Sequence, residues 1–139
     1  MPQRTFKIIY RVSWVDTDAA GVVHFSNYFR FFERAEEEFY QHLGFSFASS
    51  EVTKGLWFPR VEAFSQYRRP AKYNDLLEIE LTVDEVKEKT VKYGFSVFKK
   101  ETSELLATGY LVIVAADKKL GKATKIPEEI VEKLKQYTK

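Results

Sequence analysis

The first regular pattern along the chain is an alternation of apolar and polar side chains near the N-terminus. Its apolar members recur at every second position and are Phe6, Ile8, Tyr10, Val12 and Trp14. Lys7, Arg11 and Ser13 lie between them. A period of two is typical of a β-strand with one face against the core. The pattern therefore predicts a strand that leads directly to Asp16 and Asp18.

From Phe25 the period changes to steps of three and four residues, which predicts the longest helix in the chain. Its apolar stripe consists of Phe25, Tyr28, Phe29, Phe32, Ala35, Phe39 and Leu43. The opposite face carries Arg30, Glu33, Arg34, Glu37 and Glu38. Such a pattern places the stripe against a core and the charges in water. Gly44 is suited to end this helix, because glycine readily adopts the left-handed conformation of a C-terminal cap.

Four further strand patterns follow the helix. They cover residues 57–68, 77–83, 91–97 and 105–116. The second and third alternate, which indicates one buried face, and the fourth is apolar on both faces, which is typical of a central strand. Pro70 ends the first of these runs, and the sequence Tyr73-Asn74-Asp75 predicts a turn. Thr102-Ser103 predicts a tight connection before the last run.

Two remaining segments complete the order of elements. Residues 46–56 predict either a loop or a short second helix. A terminal helix is expected to start at Pro127, with Ile130, Val131 and Leu134 on its apolar face. Successive strands with short connections usually pair as antiparallel neighbours. The chain therefore predicts an α+β fold, in which a five-stranded antiparallel sheet wraps around one long helix and a short helix follows.

Composition limits the possible classes of protein. The chain has 139 residues, 45% of them apolar, which is the size and composition of one packed domain spanning residues 1–139. The net charge of +2 is unlike that of a strongly basic nucleic-acid binder. The absence of cysteine excludes disulfides, thiol nucleophiles and thiolate metal sites. No signal peptide or membrane span is recognisable, so the cytoplasm is the expected location.

Asp16 and Asp18 precede Gly21 and the predicted helix start, and two interpretations of them are open. Acidic residues in such a turn often accept hydrogen bonds from backbone N–H groups, here around Ala20 and Gly21. Alternatively, one of them is a general base or nucleophile for acyl transfer. Spacing alone favours the first interpretation. The adjacent helix start favours the second, because its free N–H groups and dipole stabilise developing negative charge.

Other candidate chemistry is sparse. His24 is either a partly exposed residue of the first helical turn or a substrate contact and proton carrier, since histidine titrates near neutral pH. His42 is the second of only two histidines, so no multi-histidine metal site is available. A metal held by Asp16, Asp18 and His24 is not expected, because a tight turn rarely presents three ligands correctly. No phosphate-binding glycine loop or serine elbow occurs. We therefore expect neither a metal nor a cofactor.

Two groups of basic residues are candidates for binding an anionic ligand. The first consists of Arg60, Arg68, Arg69 and Lys72, and the second of Lys87, Lys89 and Lys92. Each is either a solvated face or a site for the phosphates of an anionic carrier. The sequence pattern does not choose between the two groups.

The motif around the acidic pair resembles that of a known family. It reads Trp14-x-Asp16-x-Asp18-x-x-Gly21-x-Val23-x-x-x-Asn27-Tyr28, followed by Phe32-Glu33-x-Ala35. A looser match reads Val61-x-x-x-x-x-Tyr67-x-x-Pro70-Ala71-x-x-x-Asp75. Both are similar to the hotdog-fold acyl-CoA thioesterases of the 4-hydroxybenzoyl-CoA thioesterase family. The predicted order of elements is also that of the hotdog fold.

The resemblance implies roles for particular residues. It implies that Asp18 is the catalytic carboxylate and that the N–H of Phe25 polarises the thioester carbonyl, with Gly21 and Tyr28 also at this oxyanion and substrate-binding site. His24 resembles a site histidine of the short-chain, Tol-Pal-associated branch, and Asp16 is expected to hold the turn. The family also implies homodimers that often pair into tetramers, with active sites between subunits. Lys87 and Lys89 are candidates for the CoA phosphates.

The leading hypothesis is a thioesterase that hydrolyses a small acyl-CoA. A hotdog hydratase or dehydratase is less favoured, because no second catalytic residue is recognisable on the helix. A non-catalytic module that binds acyl-CoA or an acyl carrier is the alternative from a different class. Neither nucleic acid nor membrane is an expected partner.

Overall fold

A computed structural model describes residues 3–45 and 53–138. The strands within these ranges are β1 (Thr5–Arg11), β2 (Leu56–Trp57), β3 (Arg60–Tyr67), β4 (Leu76–Val86), β5 (Thr90–Lys99), β6 (Glu104–Val114) and β7 (Ala116–Asp117). The helices are α1 (Asn27–Leu43) and α2 (Glu128–Lys135), and a 3₁₀ turn spans Trp14–Asp16. Most of the segment predicted as a loop or short second helix lies outside the described residues.

Five strands form one antiparallel sheet in the order β1-β4-β5-β6-β3. β2 and β7 form a separate two-stranded sheet. This confirms the predicted α+β arrangement of a five-stranded sheet, one long helix and a short C-terminal helix. The central strand is β5, and β6 lies between β5 and the edge strand β3. β6 therefore has a neighbour on each side without being central.

α1 packs its apolar face against the sheet. Tyr28, Phe32, Ala35 and Phe39 of the predicted stripe are buried. The prediction was wrong about Phe25, which precedes the helix and is 64% exposed. The buried face is also wider than predicted and includes Phe31, Glu36 and Tyr40. Tyr10 of β1 packs on Phe31, and Tyr93 of β5 packs on Tyr40, so strands cover the flanks of the helix as well as its central stripe. The helix ends at Gly44, whose φ of 92° is the left-handed conformation expected for a cap.

The prediction that the first strand continues through Trp14 was wrong. β1 ends at Arg11, and Trp14 is 81% exposed in the 3₁₀ turn. The carboxylate of Asp16 turns back to accept the N–H of Ser13 at 2.8 Å. This hydrogen bond bends the chain away from the sheet, so the alternating pattern ends with the buried Val12.

Glu36 is a buried acidic residue that the sequence pattern did not identify. Arg60, at the start of β3, forms an ion pair with Glu36 Oε1 at 2.5 Å. Tyr40 donates its hydroxyl to Glu36 Oε2 at 2.5 Å, and the hydroxyls of Tyr40 and Tyr93 are 2.9 Å apart. Burial raises the pKa of the Glu36 carboxyl, although Arg60 and the Tyr40 hydroxyl act in the opposite direction.

This buried carboxyl predicts a pH-dependent contribution to stability. Because its pKa is raised on folding, the contribution of Glu36 is complete below the ordinary value of 4.5 and is lost as the pH rises through the folded-state pKa. Glutamine does not titrate. The free energy of unfolding of the parent should therefore fall relative to that of Glu36→Gln as the pH rises above 4.5 and through the raised pKa of the folded state. Urea unfolding at a series of pH values measures this difference, and a difference that rises with pH would contradict the prediction.

Candidate active site

Asp16 connects the end of β1 to the start of α1. Its side chain is buried and accepts hydrogen bonds from the Tyr10 hydroxyl at 2.7 Å and from the Ser13 N–H at 2.8 Å. Its carbonyl oxygen accepts the N–H of His24 at 2.9 Å and the side-chain amide of Asn27 at 2.7 Å. These four contacts are those of a residue that holds the turn.

Asp18 lies in a tight turn that Gly21 closes. Its N–H donates to the carbonyl oxygen of Val22 at 2.9 Å, and its own carbonyl oxygen accepts the N–H of Gly21 at 3.0 Å. Gly21 has a φ of 82°, which a residue with a Cβ rarely adopts. Oδ1 of Asp18 accepts the N–H of Ala20 at 2.9 Å, as the first interpretation expected. Oδ2 accepts no hydrogen bond from the residues that the structure describes, so one carboxylate oxygen stays available.

The chain enters α1 through His24 and Phe25. The carbonyl oxygen of His24 accepts the N–H of Asn27 at 2.9 Å. The carbonyl oxygen of Phe25 accepts the hydroxyl of Tyr67 at 2.8 Å. The N–H of Phe25 has no partner within residues 3–45 and 53–138. A free N–H at a helix start, where the helix dipole is positive, is suited to bind developing negative charge.

The His24 ring makes its polar contacts within its own turn. Its Nδ1 lies 2.7 Å from the hydroxyl of Ser26 and accepts the N–H of Ser26 at 3.2 Å. The ring also stacks on Phe25, with 4.5 Å between the ring centroids. An acceptor nitrogen carries no proton, so the neutral ring has its hydrogen on Nε2.

An open cavity of about 400 Å³ joins Asp18 to the helix start. The described residues that line it are Asp18, Val22, Val23, Phe25, Tyr28, Tyr67, Arg68, Arg69 and Pro70. The rings of Tyr28 and Tyr67 pack edge to face, with centroids 5.0 Å apart. Burial raises the pKa of Tyr28 to about 12, so the Tyr28 hydroxyl keeps its proton at physiological pH.

Of the predicted site residues, Asp18, Phe25 and Tyr28 therefore share one cavity. Gly21 shapes the turn beneath it, and His24 is not among the described residues of its wall. The sequence analysis assigned no site role to Tyr67, which reaches the cavity from β3. Its position three residues before Pro70, at the end of a strand, was the one signal that could have identified it.

The structure does not bring Lys87 and Lys89 to the cavity of the same chain. Both lie in the turn between β4 and β5, where Lys87 is 3.4 Å from Glu85. The start of β4 is close to the turn of Asp18, because Val22 forms a bridge with Lys72. The 11 residues of β4 extend over about 35 Å, so the two lysines lie at the other end of the sheet.

Two further properties concern the described part of the chain. No group of three His, Cys, Asp or Glu side chains there could hold a metal ion. No helix there is long and apolar enough to span a membrane.

Comparison with known proteins identifies the family. Residues 12–134 match the thioesterase-like superfamily. A putative esterase from Aquifex aeolicus is 36% identical over 125 residues, which cover 90% of this chain and 94% of that protein. The acyl-CoA thioester hydrolase YbgC of Escherichia coli O6:H1 is 29% identical over 131 residues, covering 94% and 96%. The crystal structure of a hypothetical protein from Aquifex aeolicus has a TM-score of 0.85 and 33% identity, covering 93% of this chain and 98% of that one.

The sheet wrapped around α1 and these neighbours define the class, a hotdog-fold protein. The chain belongs to the thioesterase-like superfamily. The predicted fold and family are confirmed, and so is the expected class of enzyme, a thioester hydrolase.

Proposed function

We propose that this protein hydrolyses the thioester of a small acyl-CoA to the free acid and CoA. The observation that carries the proposal is a cavity lined by both Asp18 and Phe25, whose backbone N–H has no partner among the described residues. The similarity to YbgC, a hydrolase of acyl-CoA thioesters, supports the choice of substrate. The mostly apolar wall formed by Val22, Val23 and Tyr28 is suited to a small acyl group.

In the proposed mechanism the thioester carbonyl accepts the N–H of Phe25. Asp18 then attacks the carbonyl carbon or removes a proton from an attacking water. The negative charge that develops on the carbonyl oxygen is stabilised by the same N–H and by the dipole of α1. If Asp18 attacks, breaking the C–S bond leaves a mixed anhydride on Asp18, which water then hydrolyses to the acid. If Asp18 is the base, the hydroxyl of the attacking water is already on the carbonyl carbon, and breaking the C–S bond gives the acid directly. On both routes the CoA thiolate takes up a proton. Gly21 keeps Asp18 in position. His24 lies outside the described cavity wall, and its Nε2–H is a candidate contact only for a part of the substrate that extends beyond the cavity.

A second copy of the chain is part of this proposal. β3 is an edge strand that pairs with only β6, and all eight of its residues are exposed or partly exposed. An open edge strand of this length presents unpaired backbone groups to a partner. We therefore propose a homodimer, or a homotetramer built from two dimers, located in the cytoplasm. Lys87 and Lys89 then remain candidates for the CoA phosphates only from a second subunit, because each lies far from Asp18 of its own.

An acyl-CoA panel tests the activity. Purified protein is mixed with short-chain, branched and aromatic acyl-CoA thioesters, and released CoA is measured with a thiol reagent. At least one member should be hydrolysed with kcat of about 1 s⁻¹ or higher. Tight binding of acyl-CoA by calorimetry without thiol release would instead indicate a binding module. Loss of enoyl-CoA absorbance without thiol release would indicate a hydratase. Either result contradicts the proposal.

A further inference from the structure

We propose that Tyr67 is a positioning residue, which fixes the backbone that presents the oxyanion donor. The inference rests on the proposed function, because it concerns the role of the Phe25 N–H in thioester hydrolysis. Tyr67 is the last residue of β3 and lies 42 positions after Phe25 in the sequence. Its hydroxyl donates to the carbonyl oxygen of Phe25 at 2.8 Å.

The hydrogen bond from Tyr67 compensates for a weak hydrogen bond to the same carbonyl within the first turn of α1. The N–H of Tyr28 is 3.5 Å from the carbonyl oxygen of Phe25, which is at the limit of a hydrogen bond. The first turn of α1 therefore holds Phe25 weakly by itself. The shorter bond from Tyr67 is the principal restraint on this carbonyl, and it comes from the sheet.

Each of the two peptide groups that flank Phe25 is consequently fixed by a hydrogen bond to its carbonyl oxygen. Asn27 donates its N–H to His24, whose carbonyl shares a peptide plane with the N–H of Phe25. Tyr67 holds the next carbonyl along the chain. Fixing both restricts rotation about the backbone bonds of Phe25, so its N–H keeps one direction. A donor that is already oriented stabilises the oxyanion without reorganisation.

The ring of Tyr67 has a separate task from its hydroxyl. It lines the cavity and packs edge to face on Tyr28, which positions the phenol for the bond to Phe25. A phenylalanine at this position keeps the ring contact and removes only the hydrogen bond. Tyr67→Phe therefore separates positioning of the donor from packing of the cavity wall.

Kinetics of Tyr67→Phe form the first arm of the test. A donor that is less well oriented affects the transition state more than the bound substrate, so kcat should fall about tenfold while KM changes less than about twofold. Tyr73→Phe is the matched control, because Tyr73 is exposed and lies outside the cavity wall. The thermal midpoint should be unchanged in Tyr73→Phe and should fall by no more than about 5 °C in Tyr67→Phe, the cost of one hydrogen bond, which would exclude a general loss of stability.

Backbone amide signals form the second arm and need no substrate. In ¹H–¹⁵N spectra of the unliganded protein, the amides of Phe25 and Ser26 should shift in Tyr67→Phe and not in Tyr73→Phe. If Tyr67→Phe leaves these two amide signals unchanged, or leaves kcat unchanged while the parent is active, the inference about Tyr67 is wrong and the proposed function still stands. A parent protein that hydrolyses no acyl-CoA would overturn the proposed function, and with it the catalytic meaning of this anchor.

Discussion

Replacing Asp18 with asparagine should lower kcat for thioester hydrolysis by about 10³-fold while the fold stays intact. Asparagine has the same shape, and its amide oxygen can still accept the N–H of Ala20, as Oδ1 of Asp18 does. The turn that Gly21 closes is therefore retained. A neutral amide, however, neither attacks a carbonyl carbon nor removes a proton from water. The substitution therefore removes the nucleophile or base and keeps the backbone turn.

The measurement is kcat on the best substrate of the acyl-CoA panel, together with the thermal midpoint of each protein. Asp117→Asn is the matched control, because Asp117 also accepts a backbone N–H two residues ahead, that of Lys119, at 2.9 Å. Asp117 lies at β7 and outside the cavity wall. The control should keep the parent kcat. If Asp18→Asn is as active as the parent, Asp18 is a turn residue without a catalytic role.

The order of strands and helices was predictable because hydrophobic periodicity is a local property. Each long strand of the sheet has an apolar run of its own, and α1 has a stripe that ends at Gly44. The errors occur where a distant or polar contact overrides the local pattern. Trp14 continues the alternation of β1 but leaves the sheet, because Asp16 bends the chain. Glu36 is buried because Arg60 comes from a strand 24 residues later.

Some residues of the candidate site could also be predicted from local sequence, and one could not. Asp18, Gly21 and Phe25 lie within eight positions of one another, so a single turn motif brought them together in the sequence. Tyr67 joins them only because the end of β3 lies beside the start of α1. No periodicity relates these two segments, and the fold was needed to show the contact.

Gly109→Ala should lower the free energy of unfolding by about 3 kcal/mol, measured by urea denaturation. Gly109 lies in β6, opposite Phe95 on one side and Ser65 on the other. A Cβ there would come within 2.6 Å of the Phe32 ring and closer still to the carbonyl oxygen of Phe64. Phe32 is fully buried and stacks on Phe95, with centroids 4.6 Å apart, so the ring has little room to move.

Gly94→Ala is the matched control, because Gly94 lies on the neighbouring strand β5 and is also crowded. The atoms nearest to its Cβ would belong to the side chains of Asp84 and Thr82 and not to the backbone, and the Asp84 side chain is exposed and can rotate away. The control should change stability by no more than about 1 kcal/mol. If both alanine variants are equally stable, close packing of Phe32 over β6 is not the reason that position 109 requires glycine.

A second substitution separates the two crowded contacts of Gly109. Phe32→Leu replaces the ring that meets the new Cβ with a shorter side chain. The loss of unfolding free energy in the double variant Gly109→Ala/Phe32→Leu should therefore be about 1 kcal/mol smaller than the sum of the losses in the two single variants. The remaining loss comes from the Phe64 carbonyl, which is part of β3 and cannot rotate away. Relief of that contact requires β3 to move, and β3 carries Tyr67. Gly109→Ala should therefore also lower kcat in the protein that stays folded, and a full parent kcat would show that β3 keeps its place.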